Sequence, residues 1–270
     1  RNANLSPLTA GETSSDLVSP KVGLLLTPWE RGLVRASYTK SLGGLYFDNS
    51  VRLEPTQVGG FDQAFRSLIP ESVVGLVPGT EFETAGVGFD QSWSSGTWCG
   101  AEAEWLTSDG AREVGVLTNS TFLPIPDAPG STRQELRFRE RSISAYVGQL
   151  LGDNFSLGAR YRLSEAKLAE HFPDIPATAA NLNLLEATER ATLHQLSLTA
   201  NFQHRSGVFA RWESAWYHQS SSGYNPALAA EDVWQHNFGV GYRWPRRLAE
   251  VRVDLLNALD ADYRLNPLTS

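Results

Sequence analysis

Five histidines, His171, His194, His204, His218 and His236, are the residues of this 270-residue sequence best suited to binding a metal or moving a proton. None forms an H-x-x-x-H or H-E-x-x-H pair, the spacings that put two imidazoles on one helical face. They fall in segments that read as loops and as both faces of strands, so isolated polar or interfacial histidines are the plainer account. A serine hydrolase would need a nucleophile oriented by a histidine on a neighbouring element. His194 with Ser214 or Ser197 is an imaginable pair, but no spacing selects it. Neither catalysis nor a metal or other cofactor is expected. Cys99 is the only cysteine, so no intrachain disulfide and no cysteine zinc cluster can form.

Charge offers more. Arg35, Glu102, Glu104, Arg160, Arg162, Arg211, Glu213, Arg243, Glu250, Arg252 and Asp254 all recur on the polar side of alternating segments. Such a set can hold a polar ligand, and Arg35, Arg160, Arg162, Arg211, Glu213 and Arg252 are the candidates for that role. A wall of mutually paired ions accounts for the same residues equally well. The chain carries a net charge of −7, which excludes the basic footprint of a nucleic-acid partner.

The elements that position these charges are strands. In 154–164, Phe155, Leu157, Ala159, Tyr161 and Leu163 alternate with Asn154, Ser156, Gly158, Arg160, Arg162 and Ser164. Only a period of two separates residue classes this way; a helix would scatter them around its circumference. The pattern repeats over 233–244, 196–203, 249–255 and 33–40, and more weakly over 21–26, 81–93, 97–106, 135–151 and 208–219. Ten strands are expected. In 135–151 the apolar parity changes between Phe138 and Ile143, which predicts a bulge or a strand leaving an apolar layer.

Between strands the chain alternates short links (27–32, 94–96, 152–154, 204–207 and 245–247) with long ones, roughly 41–80, 107–134, 165–190 and 220–232. Loops beyond about 15 residues are uncommon in compact domains. Placing them at every second connection is the pattern of an outer-membrane barrel, with short periplasmic turns and long external loops. Aromatic residues agree. Trp29, Trp93, Trp98, Phe155, Phe202, Phe209 and Trp244 lie by the short links, and Tyr38, Trp105, Tyr161, Trp216, Tyr217 and Trp234 near the long loops. Two such belts match the two headgroup levels of a bilayer. Mean hydropathy is only −0.28, as a barrel allows because only its outward residues must be apolar. The inward charges then follow from the lipid-face penalty, and Cys99, in phase with Ala101, Ala103 and Trp105, is expected to face lipid. The longest loop, with Tyr46, Phe47, Phe61, Phe65 and Ile69, suits either covering a ligand or folding inward.

The stretch Leu255-Leu256-Asn257-Ala258-Leu259-Asp260-Ala261-Asp262-Tyr263-Arg264-Leu265-Asn266-Pro267-Leu268 resembles the penultimate-strand segment of TonB-dependent outer-membrane receptors, with Asn257, Asp260, Tyr263, Arg264 and Pro267 in place. Ser19-Pro20-Lys21-Val22-Gly23-Leu24, followed by Val34-Arg35-Ala36-Ser37-Tyr38-Thr39-Lys40-Ser41, is similar to another segment of that family. The resemblance implies an antiparallel transmembrane β-barrel in the cell outer membrane, taking up a scarce solute such as a metal chelate or nutrient. Its partners would be the lipid bilayer, an unidentified small-molecule ligand and a TonB-type energy-coupling protein acting through a plug domain. Neither plug nor closing strand is visible in 1–270, and the chain has no methionine and opens Arg1-Asn2-Ala3. The expectation is therefore a barrel segment of a larger protein, about strands twelve to twenty-one of 22 by the resemblance. The loop Leu53-Glu54-Pro55-Thr56-Gln57-Val58 also resembles barrels attached to tetratricopeptide-type repeats, which would make this an anchor or export channel. A soluble all-β binding module is the remaining alternative.

Overall fold

The computed structural model describes residues 17–42, 57–62, 67–72, 79–118, 128–177 and 186–262. Ten strands form one antiparallel sheet: β1 (Lys21–Leu26), β2 (Gly32–Leu42), β5 (Glu81–Ser92), β6 (Thr97–Thr118), β7 (Ala128–Leu151), β8 (Phe155–His171), β9 (Thr188–Gln203), β10 (Val208–Ser222), β11 (Glu231–Arg243) and β12 (Glu250–Leu255). Each pairs with its neighbours in chain order, giving an up-and-down meander whose end strands, β1 and β12, are not paired with each other. A two-residue-per-strand hairpin, β3 (Gln57–Val58) with β4 (Phe61–Asp62), and a 3-10 turn at Pro70–Ser72 stand apart from the sheet. There is no α-helix among the described residues.

The short links are tight turns. Gly96 and Gly207 donate backbone hydrogen bonds to the carbonyls of Trp93 (3.2 Å) and His204 (3.0 Å). Both glycines hold positive φ, 76° and 99°, the left-handed residue that ends such a hairpin turn.

The long connections are shorter than expected over 107–134 and 165–190. β6 and β7 run to 22 and 24 residues, and their pairing continues to Thr118 opposite Ala128. β8 runs to His171 and β9 begins at Thr188. Cross-strand polar pairs sustain the ends of these extensions: Arg112 donates from Nε to Gln134 Oε1 at 2.6 Å, and Gln134 donates to Glu170 at 2.9 Å. Polar composition had marked these stretches as loop, yet strand pairing needs only satisfied ladders and cross-strand partners.

No bulge occurs in 135–151. The register of β7 with β6 runs unbroken from Gln149 through Glu135, and that with β8 from Leu151 to Glu135. Phe138 and Ile143 simply occupy opposite faces. Phe138 is buried on one face and Ile143 is 61% exposed on the other. The apolar side chains thus change face along the strand, and the reason is what lies against each face.

One face is partly covered by residues 57–62 and 67–72, between β2 and β5. There, Ile69, Phe82, Leu106, Leu136, Phe138, Ala166, Leu168 and Ala191 form a buried cluster. Nothing among the described residues covers the other face, which is called the bare face below. Val22, Leu24, Leu26, Val87, Ile143, Val147, Leu157, Phe238, Val240, Val251, Val253 and Leu255 project from it, all substantially exposed.

Candidate functional site

The strand registers stack the covered face in rows across the sheet. Arg35 lies opposite Gly88, Gly88 opposite Glu102, Glu102 opposite Ser144 and Ser144 opposite Arg162. Arg35 binds Asp90 at 2.8 Å and Glu102 at 3.4 Å. Glu102 also takes Arg160 at 2.8 Å, and Glu104 takes Arg162 at 3.2 Å. Ser144 donates to Glu102 at 2.9 Å, and Arg162 donates to Ser142 at 3.0 Å. Farther along, Arg211 pairs with Glu213, Arg243 with Glu250 at 2.6 Å, and Arg252 with Asp254 at 2.7 Å.

All six residues singled out from the sequence, Arg35, Arg160, Arg162, Arg211, Glu213 and Arg252, therefore lie on this face in ion pairs. Arg35, Arg160 and Arg162 are gathered around Glu102 and Glu104; the others form separate local pairs along the same face. Six arginines here meet Asp90, Glu102, Glu104, Glu213, Glu250 and Asp254, so these charges balance. A balanced wall exerts little long-range pull on a charged solute. Most pairs are also partly exposed, which limits what each contributes to stability.

The segment covering this face is the part of the site that sequence patterning left open. The β3–β4 hairpin lies on a floor of glycines. A Cβ at Gly86 would sit 2.7 Å from the Phe61 ring, and one at Gly23 would sit 2.7 Å from the Gly59 nitrogen. The Arg35 guanidinium packs over the Phe61 ring at 5.0 Å and donates to the Gly60 carbonyl at 3.1 Å. Farther along, Ile69 enters the buried cluster fully, and the Leu68 backbone N–H donates to Glu140 at 3.2 Å. Of the aromatic residues noted in this loop, Tyr46, Phe47 and Phe65 lie outside the described residues, as do Leu53 to Thr56. Phe61 and Ile69 are buried against the sheet. The signal for this seat was present: Gly86 and Gly88 alternate on one face of β5, leaving room there for another piece of backbone or a ring.

Beyond the turn the face becomes acidic. Burial first, then the charges of Glu71 and Glu170, push the Glu189 carboxyl up to about 7. Burial likewise raises Glu170, and raises the Tyr224 hydroxyl beside Glu189 and Glu71. A carboxyl whose folded pKa lies above its ordinary value of 4.5 binds its proton more tightly in the folded protein. Its contribution is thus complete below that value and is lost as pH rises through about 7. After division by the intrinsic base-catalysed rate, hydrogen-exchange protection of the 67–72 backbone should accordingly fall between pH 5 and 8, and Glu189→Gln should flatten that profile. An unchanged slope in the variant would assign the effect elsewhere.

The histidines are less scattered than the sequence implied. His194, His218 and His236 share the bare face. Tyr161 Oη and His194 Nδ1 are 2.7 Å apart, and His218 lies 3.2 Å from Asp232, which also accepts from the Trp216 indole at 3.0 Å. The rings of Trp212, His236 and Trp234 stack at 6.2 and 5.9 Å. Adjacent strands brought them together, a register effect that spacing within one strand cannot reveal. No group of three or more His, Cys, Asp or Glu side chains suited to a metal occurs among the described residues. Ser197 faces away from His194, on the opposite side of β9, and Ser214 Oγ is buried without a hydrogen-bond partner. Neither serine is paired with His194.

The aromatic belts need one correction. Trp29, Trp93, Phe155 and Trp244 are exposed near the short turns, and Tyr38, Trp105, Tyr161 and Trp234 toward the other end. Trp98, Phe209 and Tyr217 instead fall in phase with the charged residues. Trp98 lies against Gly148, and Phe209 against Gly241 and Arg243. Glycines opposite large rings made that placement favourable, which proximity to a turn could not show. Cys99 is in phase with Trp105 on the bare face, half-buried. In the carboxy-terminal motif, Asn257 and Asp260 take positive φ, and the Asn257 side chain exchanges two 3.1 Å hydrogen bonds with Ala261. Tyr263, Arg264 and Pro267 lie outside the described residues.

No protein-family model, curated protein or solved structure matches the chain.

Proposed function

We propose that this chain is wall of an outer-membrane β-barrel, with its bare face against lipid and its covered face toward the lumen. The observation that carries the reading is the continuous apolar band on the bare face of all ten strands. It includes Leu24, Val147, Leu157, Val240 and Val253, each exposed. Monomeric soluble proteins rarely leave more than a few hundred Å² of contiguous apolar surface in water. Exposed tryptophans at both ends of the band, joined by Tyr38 and Tyr161 at the end away from the short turns, fit two headgroup levels. About ten residues of each tilted strand suffice to cross hydrocarbon, so the far ends of β6 to β9, with Glu189, stand outside the bilayer. The unpaired edges of β1 and β12 then join further strands of a larger barrel, because unpaired backbone groups cannot remain in lipid.

Within that class, the carboxy-terminal and Ser19–Ser41 resemblances support a TonB-dependent receptor importing a scarce solute, powered through a periplasmic coupling protein and a plug domain. In that role the chain binds and conducts, and no bond chemistry is assigned to it.

The first test is physical. The protein should remain in the membrane after alkaline extraction and migrate differently on a denaturing gel when unheated. A freely soluble monomer with no heat-dependent migration would reject the barrel. The second test compares uptake of chelated iron and of corrinoids in cells with and without the energy-coupling protein. Uptake that persists without it rejects the receptor class while leaving the barrel intact.

A further inference from the structure

Resting on that barrel reading, we infer that the β3–β4 hairpin and the 67–72 turn form a stopper seated inside the lumen, which narrows the path along the charged wall. The seat is built at both ends. At the hairpin, Gly23 on β1 and Gly86 and Gly88 on β5 remove the side chains that would occupy the space of Gly59 and Phe61. Arg35 joins wall to hairpin in one residue: its guanidinium holds Asp90 and Glu102 on the sheet, the Gly60 carbonyl on the hairpin, and the face of Phe61. At the turn, Ile69 is fully buried among Phe82, Leu106, Phe138 and Leu168. The Leu68 N–H meets Glu140, and Ser67 Oγ lies 2.6 Å from Ser72 Oγ, tightening the turn on itself.

A loop that merely rested on the barrel rim would not need three glycines cleared from the wall beneath it. Nor would it bury an isoleucine in an apolar cluster of the wall and a phenylalanine under the Arg35 guanidinium. These anchors sit on β1, β2, β5, β6, β7 and β8, so the stopper spans much of the described wall rather than one hairpin. The balanced charges below it imply a path that selects little by charge sign once opened.

Gly86→Val tests this directly, since its side chain collides with the Phe61 ring. Ile69→Asp is a second route, placing a charge in the apolar cluster. Each variant is made in the complete barrel protein that contains this chain, with any plug domain deleted, and inserted into planar bilayers of outer-membrane lipid, where conductance is measured in potassium chloride. In parallel, Ser37→Cys in a Cys99→Ser background is labelled with a water-soluble thiosulfonate, because Ser37 lies buried on the covered face. Wild-type protein should conduct poorly and label slowly. Either displacing variant should raise conductance several-fold, with weak cation-to-anion preference, and speed labelling by at least tenfold, while heat-dependent migration is kept. Inserted variants with faster labelling but unchanged conductance overturn the stopper alone. A complete wild-type barrel protein that does not insert at all overturns the barrel reading and the stopper with it. High wild-type conductance, unaltered by either variant, also overturns the stopper.

Discussion

Replacing Val240 with arginine should destabilise the lipid-inserted protein by about 2–4 kcal/mol, the cost of a cation near the bilayer midplane. Val240 is 57% exposed on the bare face, in register with Ala210 on β10 and Val253 on β12. Along β11 it lies between the Tyr242–Trp244 ring pair toward the short turn and the stacked Trp234–His236 pair toward the other end. These rings bracket it at the depth where hydrocarbon is thickest. In water the same substitution at an exposed valine would cost within about 0.5 kcal/mol, so its size reports which solvent the face meets. Gln235→Lys, five residues away but on the covered face, is the internal control and should change stability by under about 1 kcal/mol. Urea unfolding from lipid vesicles measures both. A Val240→Arg variant as stable as its parent would show that no hydrocarbon lies against β11.

Phe138→Ala should cost about 3–5 kcal/mol, the range for deleting a fully buried aromatic side chain. Phe138 is only 1% exposed and packs in the cluster with Ile69, Leu106 and Leu168. Its register neighbours are Ser108 and Leu168, so small and apolar groups on either side cannot close over the space its ring leaves. The loss should be shared with the seated segment, because Ile69 is packed against the same cluster. Proteolysis near 67–72 should therefore rise together with the loss of stability. Ile143→Ala, five residues along the same strand on the bare face, should leave that proteolysis unchanged. Equal effects of the two substitutions would contradict the assignment of opposite faces to Phe138 and Ile143.

Much of the sheet was legible in the residues themselves. Strict alternation in 154–164 and 233–244 defined strands and their two faces, because a strand's period is fixed at two whatever surrounds it. Ten strands in chain order followed from turn chemistry at five short links, where glycine and proline punctuate the pattern. The charged face was legible for the same reason: Arg160 and Arg162, or Arg252 and Asp254, can share a side only if the chain is extended. Strand ends were not legible. β6 and β7 outrun their apolar stretches because polar ladder pairs such as Arg112 with Gln134 continue them, and composition reads such pairs as loop.

What tertiary structure alone decided is which charges meet and what covers them. Arg35, Glu102 and Arg160 are far apart along the chain, and only the register of β2 through β8 sets them side by side. His194, His218 and His236 were likewise gathered by strand neighbours. The inward fold of the β3–β4 hairpin depended on matching its Gly59 to Gly23 on β1 and its Phe61 to Gly86 on β5, a complementarity between distant segments. Patterning within a segment records the solvent on each side of it. It carries no information about which distant segment will displace that solvent, and that exchange is what placed the hairpin and the Ile69 turn on the charged wall.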